Sequence, residues 1–144
     1  MSKGEKPIGY WLKEADKSIS AKVNKNLEQY DLTRFHWQVL NTVYEKESIT
    51  KGVIFDLLSN FFDASQLSDF LNDFIHKNWM TQVEDPALGT TVIQMTAEGK
   101  QAFTEILSAQ QKTRMQLFQG VTKEEYETTI KVLKQLIDNA KSKT

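Results

Sequence analysis

Apolar residues recur every three or four positions through most of the chain, which predicts a largely helical protein. The first stripe runs from Ile8 to Tyr30, directly after Pro7, and predicts one long helix. Five further stripes each follow a residue that can cap a helix N-terminus, namely Thr33, Thr50, Asp63, Thr96 and Thr122. Two of these caps have a reciprocal partner three residues later, Gln66 for Asp63 and Glu125 for Thr122, which predicts capping boxes.

Between the fourth and fifth of these helices, the apolar positions recur every second residue instead. Trp79 to Val83 and Thr90 to Met95 are predicted strands, and residues 84–89 are the predicted turn between them. Asn78 tolerates the left-handed backbone of a helix C-terminus and ends the fourth helix. Two short helices joined by a tight turn and followed by a β-hairpin are typical of a winged helix-turn-helix. The predicted fold is mainly α with a small β-hairpin wing.

We interpret residues 1–144 as a single domain with two parts. Residues 31–96 form the winged helix-turn-helix lobe, and residues 1–30 and 97–144 form dimerisation helices from both termini. The apolar stripes at the chain ends exceed what one small domain can obviously bury, which predicts a homodimer. The alternative is a monomeric bundle that folds these helices onto its own core.

The composition excludes several kinds of catalytic and metal site. The 144 residues contain no cysteine and two histidines, so a disulfide scaffold, a thiolate zinc site and a cysteine nucleophile are excluded. The sequence has no glycine-rich phosphate loop and no nucleophile elbow, and we expect neither an enzyme nor a cofactor. It has no apolar run of roughly 18 residues and no signal-peptide pattern. We therefore predict a cytoplasmic protein without membrane partners.

Several short motifs occur in one order along the chain: Leu32-Thr33, Ile49-Thr50, Asp63 to Ser68, Leu71 to Phe74, Asn78-Trp79-Met80, Asp85-Pro86 and Thr96-Ala97-Glu98-Gly99. On these motifs the sequence resembles the multiple antibiotic resistance regulator (MarR) family of bacterial transcription regulators over nearly its whole length. The last motif is the strongest local match, because the family has Thr-x-x-Gly where the wing meets the following helix.

The resemblance implies a homodimer that reads a pseudo-palindromic operator in double-stranded DNA. Its fourth helix would enter the major groove, and its wing would contact the adjacent minor groove or backbone. Such regulators often bind a small effector between the dimerisation helices and the DNA-binding lobe. By this analogy Trp11, Tyr30, His36 and Trp37 are candidates for an effector pocket. The alternative for these aromatic side chains is ordinary core packing.

The lobe is more acidic than a DNA-binding surface is expected to be. The formal net charge of the chain is only −1, yet residues 31–95 contain four basic and nine acidic residues, a net charge of −5. Positions where the family usually carries Arg or Lys are here Ala64, Asp69, Asp73, Gly89, Thr90 and Thr91. Because phosphate neutralisation supplies much of the affinity for DNA, a second hypothesis stays open. In it, the acidic lobe binds a protein partner or a metal ion instead of DNA.

Neutral polar side chains remain for base reading on the fourth helix. The candidates are Ser65, Gln66, Ser68 and Asn72, with Lys51 and Lys77 as candidate phosphate contacts. The alternatives are that Gln66 serves only the capping box and that the serines and lysines are simply solvated.

A metal site is a separate candidate on the same helix. Asp69, Asp73 and His76 are spaced i, i+4 and i+7, which places two carboxylates and an imidazole on one helix face. A cation bound there would also neutralise part of the acidic lobe. The alternative is the ordinary polar face of an amphipathic helix.

Overall fold

The computed structural model describes residues 5–87 and 89–142. Within them lie six α-helices, α1 (Ile8–Leu27), α2 (Arg34–Lys46), α3 (Lys51–Leu58), α4 (Ala64–His76), α5 (Ala97–Leu117) and α6 (Lys123–Lys141). Three strands, β1 (Ser48–Ile49), β2 (Met80–Asp85) and β3 (Thr90–Met95), form one antiparallel sheet. The predicted fold class is confirmed. Leu88 of the predicted turn, and residues 1–4 and 143–144 of the predicted dimerisation segments, lie outside the described residues.

The helices begin where the capping pattern predicts. The Asp63 carboxylate accepts from the Gln66 backbone N–H at 2.8 Å, and the Gln66 amide oxygen accepts from the Asp63 N–H at 2.9 Å. Thr122 and Glu125 make the equivalent pair of hydrogen bonds. The hydroxyls of three further predicted caps also accept a first-turn N–H, those of Thr33, Thr50 and Thr96. Each start is therefore fixed by side chains that satisfy the unpaired N–H groups of their own helix.

The sheet is larger than the predicted hairpin. β2 begins at Met80 and continues through Asp85, two residues into the predicted turn. β1 was not predicted, and it pairs with the other edge of β3, with Ile49 opposite Ile93. The strand order is therefore β1-β3-β2. Two residues are too few to show an alternating pattern, so β1 is defined by its partner rather than by its own sequence.

The main core lies beneath α4 and the sheet. It consists of buried apolar side chains from the helices and strands of the lobe and from α5, including Val39, Leu40, Val43, Ile54, Leu67, Leu71, Phe74, Met80, Ile93 and Phe103. Three aromatic rings on α2, the α3–α4 turn and α4 pack against one another beside it, with Phe62 edge to face on both Phe35 and Phe70. This core fixes which face of α4 is turned inward and which is left at the surface.

The first turn of α5 lies directly on the backbone that follows α4. The Thr96 backbone N–H donates to the Trp79 carbonyl at 2.9 Å, and the Thr96 hydroxyl donates to the Asn78 carbonyl at 2.6 Å. A Cβ at Gly99 would lie 2.0 Å from the same Trp79 oxygen. The Thr-x-x-Gly motif therefore has a physical reason, because threonine makes the joint and only glycine leaves room for it.

Backbone contacts divide the chain into two compact units, one up to Thr113 and one from Arg114 onward. In the first unit, α1 exposes a group of large apolar side chains, Ile8, Tyr10, Trp11 and Leu12. In the second unit, α6 has no buried residue, and Val132, Leu136 and Ile137 are exposed. Among the described residues, no helix is long and apolar enough to span a membrane.

Candidate nucleic-acid interface

Helix α4 has one buried face and one polar face. Leu67, Leu71 and Phe74 point into the core. Ser65, Asp69, Asn72 and His76 are separated by four, three and four residues, and all four are exposed. This spacing places them in one stripe on the opposite side of the helix, which we call the α4 outer face.

Gln66, a predicted base reader, is exposed at the N-terminal end of the same helix. Its side-chain oxygen accepts the Asp63 backbone N–H in the capping box. A base contact through this oxygen would therefore compete with the cap.

Lys51 and Ser68 are brought together. Lys51 is the first residue of α3, and its ammonium group donates to the Ser68 hydroxyl. Ser68 in turn donates to the Ala64 carbonyl at 3.2 Å. A predicted phosphate contact and a predicted base reader thus share one position beside the N-terminal half of α4.

Lys77 lies at the other end of α4, at its C-cap. Its side chain is half-buried, and its Nζ atom is 5.5 Å from the centre of the Trp79 ring. The two predicted phosphate contacts therefore lie at opposite ends of the helix.

The wing is the β2–β3 hairpin. Its tip is held by Asp85, whose carboxylate accepts from the Ala87 N–H and whose carbonyl accepts from the Gly89 N–H at 2.8 Å. Gly89 adopts a positive φ of 63°, which a glycine takes without strain. Residues 80–95 include Glu84 and Asp85 but no lysine or arginine. The wing has no cation with which to neutralise a phosphate.

His36 connects α2 to α4. The Thr33 backbone N–H donates to His36 Nδ1 at 3.2 Å, and His36 Nε2 lies 2.9 Å from the Asp73 carboxylate. Because an ionised carboxylate only accepts hydrogen bonds, Nε2 is the donor to Asp73. The ring also packs against Phe70 and Phe74. The sequence analysis predicted neither the His36–Asp73 hydrogen bond nor the capping box that His36 forms with Thr33. The three-residue spacing of Thr33 and His36 is a signal for the capping box, but no local pattern identifies Asp73 as a partner.

The predicted metal ligands are not brought together. Among the described residues, no three His, Asp or Glu side chains converge as a metal site requires. The Asp73 carboxylate is directed to His36, whereas Asp69 and His76 are exposed. His36 of α2 approaches Asp73 as a hydrogen-bond partner, but no third ligand converges with them among the described residues.

The four predicted effector-pocket residues also separate. Trp37 is half-buried and stacks on the core residue Phe103 with ring centres 5.3 Å apart, as the alternative of ordinary packing has it. Trp11 is 58% exposed on α1, and Tyr30 is half-buried in the 3₁₀ turn after that helix. Of the four, only His36 lines the cleft described next. Within the described residues, the four side chains therefore do not line this cleft together, and the effector pocket stays a prediction.

A cleft of about 590 Å³ lies instead between the segment after α1 and the C-terminal half of α4. All but one of its lining residues are polar or charged, and they are Glu28, Asp31, Leu32, Thr33, His36, Asp73, His76 and Lys77. The His36–Asp73 pair is part of this wall. A molecule in the cleft would therefore touch the bond that joins α2 to α4.

No family model matches the sequence, and a search of curated proteins finds no significant match to it. Solved structures do match its fold. One is a mutant MarR from E. coli complexed with operator DNA, with a TM-score of 0.80 and 20% identity over 90% of this chain and 93% of that one. Another is a probable transcriptional regulator from Pseudomonas aeruginosa, with a TM-score of 0.78 and 19% identity over 90% and 96%.

The apo form of wild-type MarR from E. coli is a third, with a TM-score of 0.75 and 20% identity over 93% of this chain and 98% of that one. The match extends beyond residues 31–96 into the terminal helices of this chain. The chain therefore has the winged-helix fold of MarR, as the resemblance of its motifs predicted.

Proposed function

We propose that this chain is a sequence-specific, DNA-binding transcription regulator that acts as a homodimer. The observation that carries the proposal is the shared fold with MarR in complex with operator DNA, over nine tenths of each chain. The geometry of α4 supports it, because the core holds one face and leaves a polar outer face exposed. A helix presented in this way suits the major groove of B-DNA.

The proposed contacts divide into two kinds. Bases would be read by Ser65, Gln66, Ser68 and Asn72, and phosphates would be contacted by Lys51 and Lys77. Lys51 and Ser68 touch each other, so a phosphate that binds this lysine would hold the neighbouring serine close to the groove. With two lysine contacts in each protomer, a dimer neutralises about four phosphates, and log affinity should fall with log salt with a slope of about −3.6.

The homodimer is supported by unpartnered apolar surface on both terminal segments. α6 has no buried residue, and α1 exposes Trp11 and its apolar neighbours. A second copy of the chain would cover such surface and place two α4 helices on one operator. Light scattering tests this part, and a monomer mass at working concentration would contradict it.

Regulation by a small effector is the third part of the proposal. The cleft beside the His36–Asp73 pair is the place where such a molecule would reach α4. The role is not enzymatic, needs no cofactor and is exercised in the cytoplasm, where the operator is accessible.

The test is a mobility-shift assay on the DNA upstream of the chain's own gene, with a salt series. We expect a dimer to shift this duplex at nanomolar to micromolar concentration, with an affinity that falls as salt rises. The double variant Lys51→Ala, Lys77→Ala should weaken binding to every duplex about equally. If no duplex is bound even at low salt, the proposal fails.

A second candidate function is favoured by the charge of the lobe. Residues 31–95 have a net charge of −5, and the wing has no basic residue. In this alternative the lobe binds a basic protein partner in place of DNA. A metal ion is a weaker form of the same idea, since the described residues hold no converging ligand set. Absence of DNA binding, together with salt-sensitive binding of a cationic protein, would favour this candidate.

A further inference from the structure

We infer that Asp69 is a base-specifying residue, whose carboxylate accepts a hydrogen bond from the 4-amino group of a cytosine in the operator. The inference deepens the proposed function and rests on it. It would explain why this lobe carries an acidic side chain at a position where a DNA-binding surface is usually basic. Among the described residues, no converging ligands join Asp69 in a metal site.

Asp69 lies in the middle of the α4 outer face. Ser65 is one turn before it, Asn72 is three residues after it, and all three side chains are exposed. The core residues Leu67 and Phe74 point in the opposite direction. If α4 enters the major groove by its outer face, Asp69 faces the base edges more directly than any other carboxylate of this helix.

Asp69 also differs from its neighbouring carboxylates in being free. Asp63 caps α4, and Asp73 is held by His36 at 2.9 Å. Among residues 5–87 and 89–142, no side chain or backbone group pairs with the Asp69 carboxylate. Its charge therefore has no structural task in the folded chain, and a change of this side chain should leave the fold intact.

The chemistry of the major groove selects the base. An ionised carboxylate only accepts hydrogen bonds, and the cytosine edge offers an amino donor there. Guanine presents two acceptors and thymine presents one, so both repel a carboxylate. Adenine combines a donor with the N7 acceptor, a pattern that an amide matches better than a carboxylate. Asp69 would thus specify cytosine by attraction and exclude the other bases by repulsion, at a cost in overall affinity.

The experiment compares operator selection by three proteins: wild type, Asp69→Asn and Asp56→Asn. Duplexes with randomised half-sites are enriched by each protein, and the affinity for four duplexes that differ at the selected position is then measured by fluorescence anisotropy. Asp56 is the matched control, because it is an exposed carboxylate on α3 with the same charge. Thermal melting checks that the variants fold.

We expect wild type and Asp56→Asn to enrich cytosine at one position of each half-site. Asp69→Asn should prefer adenine there, with a change of at least about five-fold in the ratio of the two affinities. Loss of the cytosine preference without a gain of adenine would also support the inference. An unchanged base preference in Asp69→Asn overturns it while the proposed function stands. Failure of the wild type to bind any duplex at low salt overturns the proposed function and this inference together.

Discussion

Substitution of Gly99 by alanine should destabilise the fold strongly, because the added Cβ has no space. It would lie 2.0 Å from the Trp79 carbonyl oxygen and 2.8 Å from the carbonyl carbon, where ordinary contacts are no closer than about 3.4 Å. Both atoms belong to the backbone, so relief requires that α5 moves away from the end of α4. That movement would stretch the 2.9 Å hydrogen bond from Thr96 to Trp79. We expect the free energy of unfolding to fall by about 3 kcal/mol or more.

The assay is thermal melting followed by circular dichroism at one fixed protein concentration. For a chain of this length, a loss of about 3 kcal/mol corresponds to a fall in Tm of roughly 10 °C. Gly52→Ala is the matched control, because a Cβ on that α3 residue meets nothing within 4 Å. It should raise Tm slightly, since alanine favours the helix and restricts the unfolded chain. If Gly99→Ala melts within about 2 °C of wild type, the packing described for α5 is incorrect.

Three further predictions concern the interface and the caps. Lys51→Ala removes one phosphate contact per protomer, so the salt slope of a dimer should become shallower by about 1.8 in anisotropy titrations, and an unchanged slope would exclude this contact. Asp73→Ala should lower the free energy of unfolding in urea by about 1 kcal/mol and should add little to His36→Ala, whereas fully additive losses would contradict their pairing. The pKa of the Glu125 carboxyl lies below its ordinary value, because the backbone N–H of Thr122 and then its hydroxyl donate to it. The stabilisation from these hydrogen bonds is present above the ordinary pKa of the carboxyl and is lost as pH falls through its lowered pKa. The Tm of wild type should therefore exceed that of Glu125→Gln by less as the solution is acidified. A Tm difference independent of pH would refute this role of the Glu125 carboxylate.

The predictable parts of this fold are those encoded within a few residues of one another. Asp63 with Gln66 and Thr122 with Glu125 act on the backbone of their own helix, so sequence spacing alone identifies them. The left-handed Asn78 at the end of α4 is equally local, with a φ of 63°. These signals position the helices of the winged lobe, including the one that carries the candidate interface.

The parts that could not be predicted depend on distant partners. His36 and Trp37 are adjacent in sequence, yet a helix turns by about 100° per residue and directs them to different neighbours. Trp37 stacks on Phe103, whereas His36 contacts Asp73 of α4. The candidate nucleic-acid interface was also only partly predictable. Its exposed polar residues follow from helical periodicity, but the pairing of Lys51 with Ser68 requires the angle between α3 and α4, which no local pattern specifies.

The two residues of β1 have an effect larger than their length suggests. The chain leaves the sheet at Ile49, builds α3 and α4, and returns at Met80, and β1 and β2 flank the same strand, β3. Residues 50–79 thus form a closed loop, because the strands at its two ends both pair with β3. The length-dependent entropy of closing such a loop is about 3 kcal/mol, and β3 must supply the contacts that offset it. Local opening of the wing would release the helix-turn-helix, so amide hydrogens of β3, α3 and α4 should exchange as one cooperative unit.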